Sequence, residues 1–210
     1  MFSNFSFKTR TDLARTPFGG FTLVEMMTVV AIILIMTAIL LGNLPNFRDR
    51  LSLDAIAQEM AVTIRQAQIF GSATRTSGSQ EFPSYGVYFD LSSNNNFIVF
   101  ADLGTPPNSL YDRLGCAASA TECREQFLFS RGVVVTNLCS STNGNPSSCT
   151  PISGGILNVN FRRPLTDAIF YDSANELTPA SVIIKIAKAS NPTDTRSIVV
   201  WGTGHIYVTK

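Results

Sequence analysis

A single carboxylate beside a long apolar run is the most unusual chemical feature of this 210-residue chain. Glu25 directly precedes sixteen uncharged residues, Met26–Leu41, and the run is 21 residues when it is counted from Phe21. At about 1.5 Å per residue, the run is roughly 31 Å long, close to the hydrocarbon thickness of a bilayer. An ionisable group in lipid is costly unless it is neutralised or paired. Glu25 is therefore predicted to have a function.

The four cysteines are a second candidate for chemistry, since all of them lie in one short part of the chain. Cys116 and Cys123 are seven residues apart, and Cys139 and Cys149 are ten apart. An even number of cysteines in an oxidising compartment favours disulfides. Three connectivities are open, and we favour the local one, in which each cysteine pairs with its near neighbour. A zinc site is the alternative, but no C-x-x-C pair and no nearby histidine supports it.

Catalytic patterns are absent from the sequence. His205 is the only histidine, and it follows Gly204 in a predicted terminal hairpin, where we expect a solvated turn residue. The sequence has no Gly-rich phosphate loop, no carboxylates at metal-ligand spacing and no nucleophile elbow. We therefore predict that the chain is not an enzyme and that it binds no cofactor or metal.

The first twenty residues differ from an ordinary secretory signal. They contain three basic residues and one acid, with no apolar run of their own. A secretory signal has its apolar core before the cleavage site, whereas here the small residues come before the apolar segment. Cleavage after Gly20 would therefore remove a leader, residues 1–20, and keep the span. Because Lys- and Arg-rich flanks stay in the cytoplasm, we expect the C-terminal part outside.

The hexapeptide Gly20-Phe21-Thr22-Leu23-Val24-Glu25 resembles the signal of type IV prepilins. In that family a dedicated prepilin peptidase cuts after the glycine and methylates the new N-terminal amine. The resemblance implies cleavage after Gly20, methylation of Phe21 and a role for Glu25 in assembly. Within one helix Glu25 lies one turn from the Phe21 amine, so it can pair with that amine or with the amine of a neighbouring subunit. The alternative is that Glu25 is solvated at the headgroup level.

A second helical pattern follows the span. Pro45 predicts a kink or local melting, since proline lacks a backbone donor. Beyond it, the spacing of apolar residues by three or four predicts an amphipathic stalk helix over about residues 46–76. The apolar positions of this helix are Leu53, Ile56, Met60, Ile64 and Ala67. This region resembles the stalk of GspH/FimT-type minor pilins.

Residues 77–210 are predicted to form a β-rich head. Short β-branched and aromatic runs alternate with turn residues, which favours antiparallel strands in a sandwich or bent sheet pair. Hairpins are expected at residues 85–101, at residues 125–138 around Arg131-Gly132, and at residues 198–208. Val182–Ala187 is expected to be a strand, with Lys185 and Lys188 facing water. The head resembles that of the GspH/FimT type, except at about 105–151, a cysteine-containing stretch that looks like an insertion.

The predicted architecture is an α+β fold, in which a membrane span at 21–45 and a stalk helix at 46–76 precede an antiparallel β head. The resemblance implies a minor pilin or pseudopilin that assembles through its N-terminal helix into a type II secretion pseudopilus or a type IV pilus. Implied partners are other pilin subunits, the prepilin peptidase and the inner-membrane assembly platform. The implied location is the inner membrane, single-pass, with a cytoplasmic N-terminus and a periplasmic or extracellular head, and then the fibre.

Two alternatives to a filament subunit remain open. One is a membrane-anchored external domain that never joins a fibre. The other is a DNA receptor, because some FimT-like minor pilins bind DNA through basic residues near the C-terminus. Without residues 1–20 the chain keeps 13 basic and 14 acidic residues, a net charge of −1, which disfavours nucleic acid as a partner. The candidate DNA patch consists of Lys185, Lys188, Arg196 and Lys210.

Overall fold

The computed structural model describes residues 19–73, 76–77, 80–81, 83–104, 106–112, 115–116 and 122–210. The predicted leader, residues 1–20, therefore lies outside the described residues except for its last two glycines. The chain forms two compact units, and the boundary between them falls between Leu44 and Pro45. Each unit is described separately below, and the second unit is called the head.

The helix α1 spans Leu23–Ser72 and has 50 residues. The helical backbone continues through Pro45, so the local melting that Pro45 predicted is not observed. A proline removes only one hydrogen bond from the helical ladder, and a long helix retains the others. In the first unit, Leu23–Gly42 is long and apolar enough to cross a membrane, with a mean hydropathy of 2.6 and no buried residue.

Within the head, α1 buries one face, and this face is the one that the apolar spacing predicts. Its positions recur every three or four residues, so they lie on one side of a helix. The predicted amphipathic helix is confirmed, and it ends at Ser72. All five predicted core positions are buried, with at most 6% of each residue exposed: Leu53, Ile56, Met60, Ile64 and Ala67.

Thirteen strands are assigned in the described part of the chain, and nearly all of them belong to two antiparallel sheets. The six-stranded sheet has the order β10-β9-β8-β3-β4-β5, and the five-stranded sheet has the order β13-β12-β11-β6-β7. A short ribbon pairs β1 with β2. The strands are β1 Thr76–Ser77, β2 Gln80–Glu81, β3 Tyr85–Asp90, β4 Asn96–Ala101, β5 Cys123–Leu128, β6 Val133–Ser141, β7 Thr150–Pro151, β8 Ile156–Phe161, β9 Ala168–Tyr171, β10 Glu176–Leu177, β11 Ser181–Lys188, β12 Asn191–Trp201 and β13 Ile206–Thr209.

Both sheets and the helix share one apolar core. Met60 and Ile64 of α1 belong to the same buried cluster as Phe161 of the six-stranded sheet and Ile184 of the five-stranded sheet. Alternate residues of the longer strands face this cluster, as a sheet buried on one side requires. The predicted α+β fold with a β-rich head is therefore confirmed.

The hairpin expected at residues 125–138 is wrong. Arg131 and Gly132 do form a tight turn, with φ of 58° and 70°. The flanking strands then separate, since β5 pairs with β4 and β6 pairs with β11. The chain thus passes from one sheet to the other at a turn whose local signal is that of a hairpin. The stretch at 105–151 consequently supplies β5, β6 and β7, so it is part of the framework of the head.

Two disulfides are present, and they follow the favoured local pairing. Cys116 is bonded to Cys123 with Cα atoms 5.1 Å apart, and Cys139 is bonded to Cys149 with Cα atoms 5.5 Å apart. Each bond closes a loop next to a small apolar cluster outside the main core. Tyr111 packs with Tyr88 and Phe100 beside the first loop, and Trp201 packs beside the second. Cys123, Cys139 and Cys149 therefore pack against the small apolar clusters outside the main core.

Candidate functional site

The bond between Gly20 and Phe21 lies in an exposed stretch that precedes the helix. Gly19 and Gly20 have no helical or strand assignment, and an added side-chain carbon at either glycine would meet nothing within 4 Å. Phe21 is 77% exposed. Because α1 begins at Leu23, the peptide bond after Gly20 is outside the helical ladder. A peptidase can therefore approach this bond without unfolding a helix.

Thr22 caps the start of α1. Its hydroxyl oxygen accepts a hydrogen bond from the backbone N–H of Glu25 at 3.2 Å, and its carbonyl accepts one from the N–H of Met26 at 3.2 Å. A threonine followed three residues later by a glutamate is the pattern of a capping box. The sequence reasoning used Glu25 and overlooked Thr22, although the Thr-x-x-Glu spacing was a sufficient signal. The predicted processing site thus ends where a capped helix begins.

Glu25 occupies the first turn of α1 with an exposed side chain. A negative charge is favourable there, because the helix dipole leaves partial positive charge at the N-terminus. No ion pair to Glu25 is formed by any residue in the described part of the chain. Within the described residues, its carboxylate therefore has no cationic partner.

The side chains that follow Glu25 form an apolar surface. Leu23, Met27 and Leu34 are each between 64% and 75% exposed. Met26, Val30 and Ala31 complete a shallow apolar depression with them along one side of α1. Such a surface is stable only against lipid or against other apolar helices.

Most residues of the candidate DNA patch form contacts within the head and are not free to bind an anion. Lys188 pairs with Asp49 of α1, and Lys185 donates to the carbonyl of Pro146 at 2.6 Å. Both lysines are half-buried, so the expectation that they face water is wrong. Lys210 is exposed. Three of the four predicted cations thus already serve the internal structure of the head.

Arg196, the fourth member of that patch, is 6% exposed and lies in an ion-pair cluster. It pairs with Asp54 of α1 and donates to Asp194 at 2.6 Å. The hydrogen bond to Asp54 raises the pKa of Arg196, and the hydrogen bond from Arg196 lowers the pKa of Asp194. Arg50 lies 3.7 Å from Asp194 on the solvent side. This cluster fastens the helix to β12, which explains why the guanidinium of Arg196 is buried.

Two buried carboxylates organise the loop after β4. Asp102 is fully buried, and its oxygens accept the N–H groups of Ser109 at 2.7 Å and Gly104 at 3.2 Å. Glu122 is 5% exposed and accepts the N–H groups of Leu103 at 3.0 Å and Asp112 at 2.9 Å. Burial raises the pKa of Glu122, while these hydrogen bonds oppose the shift. Sequence spacing did not identify this pair, because its role depends on distant backbone groups.

His205, which was considered as a catalytic residue, is exposed in the turn before β13. Its ring centroid is 5.7 Å from that of Tyr207. No cluster of three or more histidine, cysteine or acidic residues that could hold a metal occurs among the described residues.

A family model described as the prokaryotic N-terminal methylation motif matches residues 15–41. No match to a curated protein and no match to a solved structure was found. The matched residues contain the exposed Gly20–Phe21 bond, the Thr22 cap and the apolar helix up to Leu41. The N-terminal segment is therefore a prepilin-like methylation motif, and this motif supports a type IV pilin-like protein.

Proposed function

We propose that this chain is a minor pilin or pseudopilin of the GspH/FimT type. Its precursor is cut between Gly20 and Phe21 by a prepilin peptidase, which also methylates the Phe21 amine. Before assembly, the mature chain is anchored in the inner membrane by the apolar part of α1, with its head outside. An assembly platform then moves it into the fibre of a type II secretion system or a type IV pilus. The match of the methylation motif to residues 15–41 carries this proposal.

Under this proposal, the first helical turn selects the subunit through its charges. Cleavage creates a positive amine on Phe21, and Glu25 offers an exposed carboxylate at the start of α1. In lipid or in a bundle of apolar helices, an unpaired charge is costly, so amine and carboxylate favour contact with each other. A neighbouring subunit that offers its amine to Glu25 therefore neutralises two charges in one contact. The uncut chain has no amine at Phe21 and lacks this contact.

The structure of the head supports the role of a structural subunit over that of a DNA receptor. Lys185, Lys188 and Arg196 all make internal contacts, so the predicted DNA patch offers little positive charge to a phosphate backbone. The proposed partners are therefore other pilin subunits, the peptidase and the assembly platform.

Processing tests the proposal. The chain is expressed with and without a prepilin peptidase, and the membrane-bound product is examined by intact mass and N-terminal sequencing. We expect the product to begin at methylated Phe21 only when the peptidase is present. Gly20→Val should block cleavage, whereas Gly19→Val, equally exposed, should not block it to the same extent. An uncut wild-type chain in the presence of active peptidase would favour a simple membrane-anchored domain.

A further inference from the structure

A small polar cavity lies within the head, between α1 and the hairpin that β11 and β12 form. Its volume is about 200 Å³. The helix contributes Asp49, Arg50 and Leu53 to its lining, and the hairpin contributes Lys188, Ser190 and Asp194. Leu53 belongs to the main apolar core, so one wall of the cavity is apolar. A cavity of this size is smaller than the usual site for a drug-sized ligand and suits a small polar group.

The charges around this cavity balance one another. Four ion pairs join three acids to three bases: Asp49, Asp54, Asp194, Arg50, Lys188 and Arg196. A balanced cluster has little net attraction for an anionic membrane surface, because that attraction requires an excess of basic residues. A ligand that carries both signs fits such a cluster better, since each of its charges meets an opposite one.

Arg50 offers hydrogen-bond donors to a ligand in the cavity. Its side chain is 69% exposed, and its Nε atom lies 3.7 Å from Oδ2 of Asp194. The two terminal nitrogens of the guanidinium carry further N–H donors, which match the oxygens of a phosphate group. Because the contact with Asp194 restrains the side chain, less entropy is lost when a phosphate binds. Ser190 is exposed at the same cavity and carries a hydroxyl donor.

Asp49 offers a hydrogen-bond acceptor beside these donors. Its side chain is 42% exposed, and its Oδ1 atom accepts a hydrogen bond from the ammonium of Lys188. Its other oxygen, Oδ2, forms no ion pair with any described residue. Such an oxygen can accept a hydrogen bond from a primary ammonium group. Arg50 and Asp49 therefore present donors for a phosphate and an acceptor for an amine in one cavity.

The position of Asp49 in the chain brings this cavity within reach of lipid headgroups. Asp49 follows Gly42, the last residue of the candidate span, by seven residues. Seven helical residues extend about 10 Å, and the polar layer of a bilayer extends about 5–8 Å beyond the hydrocarbon. The long side chain of Arg50 can cover the remaining few ångströms. Phe47 and Leu51 are 60% and 51% exposed, and such apolar side chains contact lipid at a membrane interface.

From these contacts we infer that the cavity binds the headgroup of a membrane phospholipid that carries a phosphate and a primary ammonium, the chemistry of phosphatidylethanolamine. Arg50 binds the phosphate, and Asp49 accepts a hydrogen bond from the ammonium. The contact holds the head at the membrane surface until the chain leaves the lipid. The inference rests on the proposed function, because it concerns the stage before assembly, when the apolar part of α1 is in the membrane.

Native mass spectrometry of the full chain in a non-ionic detergent tests the inference. The chain is mixed with equimolar phosphatidylethanolamine, phosphatidylcholine and phosphatidylglycerol that have the same acyl chains. Contacts between the apolar helix and the acyl chains are then equal, so a difference in retained lipid reports the headgroup. We expect several-fold more phosphatidylethanolamine than either other lipid, because phosphatidylcholine has no N–H donor for Asp49 and phosphatidylglycerol has no cation.

Arg48 provides a matched control for Arg50. Both side chains are exposed and lie two residues apart, but of the two only Arg50 lines the cavity. Arg50→Gln should reduce the retained phosphatidylethanolamine several-fold, whereas Arg48→Gln should keep the wild-type amount. Because exposed ion pairs contribute little to stability, both variants should keep the wild-type melting temperature, which checks that they are folded. Equal losses of lipid in the two variants would indicate a general basic surface and overturn the inference.

Asp49→Asn tests the ammonium contact separately. Asparagine keeps an oxygen that can accept the hydrogen bond from Lys188 but removes the negative charge. Phosphatidylethanolamine and phosphatidylcholine should then be retained about equally. A preference for phosphatidylethanolamine that survives this change would show that Asp49 does not bind the ammonium, and it would overturn the inference.

A soluble headgroup distinguishes a lipid from a free phosphate ester. Glycerophosphoethanolamine has the same headgroup without acyl chains, and it is offered to the wild-type chain at the same concentration. We expect several-fold less of it to be retained, because the acyl chains hold the lipid in the micelle beside the cavity. Equal retention would assign the cavity to a soluble phosphate ester and overturn the assignment to a membrane lipid.

The wild-type result decides the inference independently of the proposed function. Equal retention of the three phospholipids, or a preference for phosphatidylglycerol, overturns the inference. If that same chain is cut after Gly20 and enters fibres, the proposed function stands. A chain that prefers phosphatidylethanolamine but is never cut in the presence of active peptidase overturns the proposed function, and the headgroup site then belongs to a simple membrane-anchored domain.

Discussion

The residues before Leu44 and the head beyond it place their apolar side chains in opposite environments. In Leu23–Gly42 no residue is buried, although the mean hydropathy is 2.6. In the head, residues of the same types fill a core, and Met60, Ile64 and Ile184 are all fully buried. The head therefore contains its own solvent-free interior, whereas the apolar helix needs lipid or other subunits.

The largest effect on assembly is expected at Glu25. Glu25→Ala removes the carboxylate but keeps the span apolar, so membrane insertion should be unchanged while little of the chain enters fibres. The measurement is the amount of chain in membranes and in sheared fibres. Glu25→Asp keeps the charge with a shorter reach and should retain more assembly than Glu25→Ala. Normal fibre content in Glu25→Ala would show that the carboxylate has no pairing role.

Replacing a core aromatic residue should lower the stability of the head, whereas replacing an exposed residue of the apolar helix should not. Phe161 is fully buried, and its replacement by Ala leaves a cavity that should cost about 3–5 kcal/mol of the free energy of unfolding. Ile35 is 62% exposed, so Ile35→Ala should leave the unfolding of the head unchanged. Denaturant unfolding of the full chain in detergent, followed by Trp201 fluorescence, measures both. Equal losses in the two variants would contradict the division into two regions.

The disulfides are expected to make the next largest contribution to the stability of the head. Replacing both Cys139 and Cys149 with Ala removes a cross-link that closes a ten-residue separation. The free energy of unfolding should fall by about 2–3 kcal/mol, mainly because the unfolded chain gains freedom. Non-reducing peptide mapping of the wild type checks the pairing. A link from Cys116 to either of these residues would contradict the local connectivity.

The smallest expected effect is a pH dependence of the free energy of unfolding, which arises from the ion pair between Arg196 and Asp194. The hydrogen bond from Arg196 lowers the pKa of Asp194 in the folded chain. Its contribution to stability is therefore present above the unfolded value, about 3.9, and is lost as the pH falls through the folded value. Asp194→Asn should reduce the difference in unfolding free energy between about pH 6 and about pH 3. An identical difference in wild type and variant would show that the cluster does not respond to acid.

Local patterns predicted the elements of this molecule better than their long-range contacts. The spacing of Leu53, Ile56 and Met60 identified the buried face of the helix, because a helix repeats within a few residues. The turn at Arg131-Gly132 was also found, but its strands joined different sheets. The pairing of these two strands depends on β4 and β11, which lie far from the turn in sequence.

The charged residues of the head illustrate the same limit. Lys188 and Arg196 looked like surface cations, yet their partners Asp49 and Asp54 are 139 and 142 residues away in the chain. No local window contains such pairs, so a sequence pattern cannot separate an internal ion pair from an external patch. At the predicted processing site, by contrast, Gly20 and Glu25 lie within six residues, and Thr22 lies between them. The candidate site was therefore visible in the sequence, apart from the cap that was overlooked.

The N-terminus of the chain recovered from sheared fibres tests the central claim most directly. Intact mass and N-terminal sequencing of that fraction should show a chain that begins at Phe21 and carries one methyl group on its amine. A chain that still carries residues 1–20, or that stays wholly in the membrane while other subunits form fibres, would contradict the account.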